Sequence, residues 1–324
     1  MKAIVHERYG SPDVLKLGEI ETPEVADDSV LVRVHAASVN RLDWYGVTGT
    51  PYVARVMGGL RKPKDPGLGV DFAGTVEGVG KDVTDVRPGD EVFGGRTGAF
   101  AEYVSVRDAV APKPTNLTFE EAAAVPVAAI TALQGFRDKA ELQSGQTVLV
   151  NGASGGVGTF AVQIAKALGA EVTAVCSTRN VEQARSLGAD HVIDYTREDF
   201  TRSGRRYDVL FDVAGSRSWR ACKRLLEPEG ILVMAGAPQS NRVVAPLGHI
   251  ARLRVASVPS RQNFAFFVAN LNRADLDVLR ELIEAGKVTP AVEKRYPLSE
   301  VSDALEYMGE GHVRAKIVVT VSGV

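Results

Sequence analysis

The chain has 324 residues, is 45% hydrophobic and 24% charged, and carries a net charge of −2. That composition indicates a globular protein with one large or two medium cores, and it gives no basis for nucleic-acid binding or a polybasic membrane face. No apolar run approaches the roughly 20 residues needed to span a bilayer, and two cysteines, Cys176 and Cys222, are too few for a disulfide scaffold.

The first residues, Met1-Lys2-Ala3-Ile4-Val5-His6-Glu7, lack the apolar centre of a signal peptide, so cytoplasmic residence is the expectation. From there to about Leu117 the pattern is β. Leu31-Val32-Arg33-Val34-His35-Ala36 alternates in part, as a half-buried strand does. Val70-Asp71-Phe72-Ala73-Gly74-Thr75-Val76-Glu77-Gly78-Val79-Gly80 mixes apolar residues with glycines, which predicts bent or bulged strands. Arg87-Pro88-Gly89-Asp90 is a turn leading into Glu91-Val92-Phe93-Gly94. Short strands separated by turns predict a compact, barrel-like unit.

At Thr118 the grammar changes. Thr118-Phe119-Glu120-Glu121 is a capping box that opens an alanine-rich helix. Pro126 interrupts it, and a second helix is predicted over 127–139. Strands are then predicted at 147–151, 171–176, 191–194, 208–213 and 230–235, with helices at 157–168, 181–187 and 218–226 between most of them. That alternation predicts a doubly wound parallel sheet. A helix near 273–285 and a strand at 316–321 close the chain. No tyrosine has lysine four positions later, which argues against the short-chain dehydrogenases, whose nucleotide fold normally comes first.

The stretch Thr147-Val148-Leu149-Val150-Asn151-Gly152-Ala153-Ser154-Gly155-Gly156-Val157-Gly158 carries the chemistry. An apolar strand enters a glycine-rich turn and leaves as an amphipathic helix. The bare helix N-terminus, positive end outward, suits a dinucleotide pyrophosphate. Glycine is required where a Cβ would block the phosphate or the approach of helix to sheet. Gly152, Ser154, Gly155, Gly156, Val157 and Gly158 are therefore candidate cofactor residues. NAD-specific sites place Asp or Glu at the end of the next strand, about 20 residues past the glycines. Here that strand ends Val175-Cys176-Ser177-Thr178-Arg179-Asn180, without a carboxylate. Ser177, Thr178 and Arg179 are the candidates for a 2′-phosphate, worth roughly ten- to a hundredfold for NADPH over NADH. The alternative is that Arg179 points into water beside a helix start capped by Asn180. Gly236 and Ala237 follow the C-terminal end of a strand, where open α/β sheets bind ligands, or simply form a turn.

Further distinctive segments stand in order along the chain: Ala37-Ser38-Val39-Asn40-Arg41-Leu42-Asp43-Trp44, Gly69-Val70-Asp71-Phe72-Ala73-Gly74, Ala123-Ala124-Val125-Pro126, Leu187-Gly188-Ala189-Asp190-His191-Val192-Ile193-Asp194-Tyr195 and Arg314-Ala315-Lys316-Ile317-Val318. Together with Met1–Val5 and the glycine turn, this ordered set resembles the medium-chain dehydrogenase/reductase superfamily. More closely it is similar to the zinc-free quinone oxidoreductase-like branch, whose members are often catalogued as NAD(P)-dependent alcohol dehydrogenases. The resemblance implies an α/β protein: a doubly wound parallel-sheet Rossmann domain over 124–264, and a β-rich GroES-like catalytic domain over 1–123 and 265–324. It places Asn40 near the nicotinamide ribose, Thr131 near the carboxamide and Tyr195 in the 2′-phosphate pocket. It matches Tyr52 to a tyrosine proposed as a proton donor in enoyl reductases. Each has a plainer alternative: a turn cap for Asn40, a buried helix face for Thr131, a packing aromatic for Tyr52. Asp43 reads as a buried acceptor, and residues 53–65 as an inserted basic segment. The resemblance also implies a homodimer along the far edge of the nucleotide sheet, near Val255-Ala256-Ser257-Val258, Phe264, Phe266 and Phe267; the alternative is that these phenylalanines pack within the monomer.

Zinc alcohol dehydrogenases draw ligands from three regions that read here Asn40-Arg41-Leu42-Asp43, Val70-Asp71 and Val125-Pro126-Val127, without cysteine or histidine. The five histidines are scattered, so no metal is expected. The expectation is then a zinc-independent, NADPH-dependent transfer of hydride to a small acceptor, a quinone or an α,β-unsaturated carbonyl compound. Nicotinamide supplies the hydride, so a catalytic triad is not required. Two alternatives stay open: an NADPH-binding structural or regulatory protein with little turnover, and an alcohol dehydrogenase or carbonyl reductase.

Overall fold

A computed structural model describes residues 1–52, 55–215, 217–236, 245–311 and 313–321. The strands are β1 (Lys2–Val5), β2 (Lys16–Glu19), β3 (Val30–Val39), β4 (Asp71–Val79), β5 (Glu91–Gly95), β6 (Tyr103–Val106), β7 (Val110–Pro112), β8 (Thr147–Asn151), β9 (Glu171–Cys176), β10 (His191–Asp194), β11 (Tyr207–Asp212), β12 (Leu226–Met234), β13 (Asn263–Phe266), β14 (Val292–Pro297) and β15 (Lys316–Thr320). The helices are α1 (Arg41–Thr48), α2 (Arg55–Gly58), α3 (Phe119–Ala123), α4 (Pro126–Gln134), α5 (Gly156–Ala167), α6 (Val181–Ser186), α7 (Trp219–Arg224), α8 (Ala245–Ser257), α9 (Arg273–Glu284) and α10 (Val301–Gly309). The chain forms two compact units. One comprises Met1–Ile130, Asn270–Gly286 and Pro290–Val324, the other Thr131–Ala269 and Lys287–Thr289.

In the first unit a seven-stranded sheet runs β14-β15-β3-β4-β5-β7, with β6 also paired to β3. The glycine-laden strand β4 is bulged as its sequence predicts: its register against β3 slips twice, between Leu31 and Val32 and between Val34 and Ala36. Val32, Val34, Phe72, Val92, Phe100 and Ile317 fill the core. Thr118 and Glu121 form the predicted capping box, Glu121 N–H donating to Thr118 Oγ1 at 3.2 Å and Thr118 N–H to Glu121 Oε2 at 2.9 Å.

The second unit is a six-stranded sheet in the order β10-β9-β8-β11-β12-β13, parallel throughout. The order reverses between β8 and β11, the switch point at which the ends of neighbouring strands diverge. Strands β8, β9 and β10 have the predicted bounds. β12 starts at Leu226 rather than 230, because its pairing with β11 carries a register shift across Glu227-Pro228-Glu229. The helix predicted over 127–139 ends at Gln134 and widens into a π turn, Gly135–Lys139. A Cβ on Gly135 would lie 2.4 Å from the Phe211 ring, and Phe136 packs against that ring, tilted by 33°, at 4.7 Å between centroids. The widened turn seats this close approach. Neither α8 nor the short β13 was expected. α8 contains Pro246 and Gly248 and has no apolar stripe. No helix among the described residues is long and apolar enough to cross a membrane.

Candidate active site

In the second unit, β8 delivers the chain into a turn at Gly152, whose φ of 88° favours glycine. Gly152 and Ala153 N–H groups donate to Val175 O at 3.3 and 3.1 Å, which ties the turn to the end of β9. Gly155 is the N-cap of α5 and offers no side chain to its first turn. The amides of Gly156, Val157 and Gly158 therefore form a bare, positive helix end. Gly158 is fixed by packing: its Cβ would stand 2.1 Å from Gly152 O. Gly236 is fixed likewise, with a Cβ 1.8 Å from Val213 O. Ala237 lies outside the described residues. Beside these ends, buried Asn151 donates to Asp212 Oδ1 at 2.8 Å, as does Gly215 N–H. Burial pushes the Asp212 carboxyl above the ordinary carboxylate range, against the lowering effect of these donors.

The end of β9 differs from its sequence reading in one respect. Ser177 is half-buried, and Thr178 and Arg179 are exposed. The Thr178 hydroxyl, however, donates to Asp194 Oδ2 at 2.5 Å and meets Thr196 Oγ1 at 2.8 Å. A carboxylate therefore stands next to this loop, supplied by β10 rather than β9. The Thr178 hydroxyl holds it below the ordinary range, and Arg197 pairs with it at 3.3 Å. Tyr195, 53% exposed, follows directly. Thr131 is buried on α4.

In the first unit the three regions that lack zinc ligands meet in a buried polar network. Asp71 is fully buried at the head of β4. Its Oδ2 accepts from Ser38 Oγ at 2.9 Å, Asn40 Nδ2 at 2.8 Å and Lys316 Nζ at 3.2 Å, and its Oδ1 accepts from Val127 N–H at 2.9 Å. Lys316, 2% exposed, also donates to Asn40 Oδ1 at 2.7 Å. Both polar ends of the Asn40 amide are thus engaged inside the unit. Asp43 accepts the Asn40 N–H at 2.7 Å and sets the start of α1. Among the described residues, no three His, Cys, Asp or Glu side chains are placed to hold a metal ion. Tyr52 is 43% exposed, and the Arg55 guanidinium lies over its ring at 4.6 Å and over the Tyr9 ring at 4.4 Å.

Burial pushes the Asp43 carboxyl up to about 7, outweighing the Asn40 N–H that favours its charged form. The folded value exceeds the unfolded one. Its stabilising contribution is therefore complete below the unfolded value near 3.8 and is lost as pH rises through about 7. Relative to the parent, Asp43→Asn is expected to gain about 2–3 kcal/mol between pH 5 and pH 8. Paired urea titrations at both pH values measure this; a difference independent of pH contradicts it.

Lys316 was not singled out as a site residue in the sequence, although the signal was present. One lysine at the head of an apolar strand and one aspartate at the head of another are opposite charges on neighbouring buried strands. The partnership of Asp194 with Thr178 depended on strand register, which no local pattern prints.

Two family models match the chain: alcohol dehydrogenase GroES-like domain over residues 26–115, and zinc-binding dehydrogenase over residues 187–319. The 2-methylene-furan-3-one reductase of Solanum lycopersicum is 35% identical, over 98% of this chain and 79% of its own. The chloroplastic NADPH-dependent alkenal/one oxidoreductase of Arabidopsis thaliana is 36% identical, with the same coverage. The structure of the quinone oxidoreductase from Coxiella burnetii superposes with a TM-score of 0.86 at 32% identity over 99% of both chains. With a GroES-like unit, a Rossmann unit and relatives of this kind along its whole length, the chain belongs to the medium-chain dehydrogenase/reductase superfamily, in its quinone oxidoreductase-like branch.

Proposed function

We propose that this protein is an NADPH-dependent oxidoreductase that reduces quinones or α,β-unsaturated carbonyl compounds without a metal. The observation that carries the reading is the turn after β8. It combines a glycine with no room for a Cβ and a helix end with no side-chain cap. Such a cradle fits a pyrophosphate. The relatives named for NADPH, alkenals, enones and quinones support the same reading.

The residues from Gly152 to Gly158, Ser154 among them, would hold the pyrophosphate. Ser177, Arg179 and Tyr195 would hold the 2′-phosphate, the Thr178 hydroxyl being engaged by Asp194, and Thr131, Gly236 and Ala237 would border the nicotinamide. Bound nicotinamide supplies the hydride. The chain's own task is orientation, exclusion of water and provision of a proton. Tyr52 is assigned as proton donor, its ring steadied by Arg55. Asn40, with its amide engaged by Asp71 and Lys316, acts by positioning α1.

Metal independence is argued from the donor set. The Lys316 ammonium already pairs with Asp71, so a divalent cation placed there would meet a buried like charge. The test is NADPH oxidation with one quinone, one enone and one aldehyde, with products identified and strong chelator present. Turnover of quinone or enone is expected to persist, and Tyr52→Phe is expected to slow the enone most. Turnover of the aldehyde alone would make the protein a carbonyl reductase. NADPH binding without turnover of any acceptor would make its role structural or regulatory. Arg179→Ala is expected to weaken NADPH about tenfold more than NADH in a fluorescence titration; equal losses would remove Arg179 from the phosphate site.

Assembly as a homodimer is proposed along β13, the outermost strand of its sheet. Phe266 is 39% exposed and Val268 73% exposed there. An unpaired apolar edge invites a second copy. Light scattering at micromolar concentration is expected to give twice the chain mass of 34.6 kDa, and the chain mass itself would exclude the dimer.

A further inference from the structure

Asn180 occupies the N-cap position of α6, yet its side chain makes no capping bond. It is buried, and its amide turns the other way. Nδ2–H donates to Ser154 Oγ at 3.0 Å and to Ser177 Oγ at 3.2 Å. Ser154 lies in the glycine turn after β8, and Ser177 directly follows β9. One side chain therefore spans the ends of two adjacent strands. Its Oδ1 is buried without a hydrogen-bond partner among the described residues. The amide is held by its donors alone.

The direction of these bonds matters. A serine hydroxyl has one proton and two acceptor lone pairs. Once an N–H occupies a lone pair, the hydroxyl proton must point elsewhere. Neither serine hydroxyl has another side-chain or backbone partner among the described residues, and both residues are part-exposed. Thr178, one residue on, is the opposite case: its hydroxyl proton is directed to Asp194.

We infer that Asn180 is a positioning residue for the cofactor: by donating to both serines it turns their hydroxyl protons outward, Ser154 toward the pyrophosphate and Ser177 toward the 2′-phosphate. This rests on the NADPH reading above and extends it to a residue that touches neither phosphate. NADPH uses both oriented donors. NADH, which lacks the 2′-phosphate, uses the Ser154 donor alone.

The test is a titration of NADPH and NADH against the full chain, the single variants Asn180→Ala, Asn180→Asp, Ser154→Ala and Ser177→Ala, and the double variants. A neutral hydrogen bond corresponds to about threefold in affinity. Asn180→Ala is therefore expected to weaken NADH about threefold and NADPH about tenfold. In the Ser177→Ala background it should weaken both cofactors by the same threefold, and in the Ser154→Ala background it should spare NADH. Thermal melting should be unchanged or raised, because an unpartnered buried oxygen is removed. Asn180→Asp keeps the shape but accepts instead of donating. It should weaken NADPH more than Asn180→Ala does, with part of that loss vanishing in the Ser177→Ala background. Should the alanine variant fold poorly, this second pair carries the same comparison. Losses that simply add across the double variants, or equal losses of both cofactors in the parent background, overturn the inference while leaving NADPH binding intact. An unaltered chain that binds neither nucleotide overturns the inference and the functional reading together.

Discussion

Lys316→Met is expected to lower the unfolding free energy by about 3–5 kcal/mol, the usual effect of removing one partner from a buried ion pair. Methionine retains the apolar bulk of the lysine stem but leaves the Asp71 carboxylate facing Asn40 and Ser38 at zero exposure. The loss arises from the uncompensated charge rather than from the missing bond. Adding Asp71→Asn to the variant should therefore restore part of it, because no charge then remains buried at that point. Urea denaturation of the parent, the single and the double variant measures both parts. A loss below about 1 kcal/mol for Lys316→Met would show that water reaches the site.

The glycine turn yields the second large expectation, a contrast within one motif. A Cβ on Gly158 would stand 2.1 Å from Gly152 O and 2.8 Å from Ala153 Cα, all backbone that cannot rotate away. Gly158→Ala is expected to separate α5 from the turn, at about 1–3 kcal/mol as for overpacking, and to remove most NADPH binding with it. At Gly155 the nearest atom to a Cβ is 3.7 Å away, and the backbone conformation is one that alanine adopts. Gly155→Ala should melt with the parent, since its methyl group meets no backbone closer than 3.7 Å, yet bind NADPH more weakly if this turn is the cradle. Melting curves and cofactor titration together distinguish the two. If both variants lost stability equally, or both bound normally, the turn would not be the pyrophosphate cradle.

The nucleotide sheet was legible because its central strands are buried on both faces. Thr147–Asn151 and Glu171–Cys176 have apolar centres and are buried at every position but the first, and each is bounded by glycine or a helix cap, so strand limits follow from the local sequence. Elements whose burial depends on distant chain escaped. α1 buries only Asp43 and Val47 of its eight residues, and α8 carries Pro246 and Gly248. The candidate cofactor residues were readable for the same local reason, being consecutive at strand ends. What could not be read was the partner of each side chain. Asn180 has the residue type of a helix cap and occupies that position, yet it bonds to serines on two strand ends. Asp194 and Thr178 meet only because β10 pairs with β9 in one particular register.

The placement of β15 bears on the order in which the molecule forms. The strands β8 to β13 come from one continuous stretch of chain, whereas β3 is flanked by β15, with Ile317 opposite Val39. During synthesis the nucleotide sheet has all its strands by about residue 266. At that moment β3 still lacks a neighbour, and Asp71 still awaits the lysine that balances it. The N-terminal unit, although made first, is completed last. Until β15 arrives it exposes an open strand edge and a charge without its partner, the kind of surface that invites non-native pairing and chaperone attention.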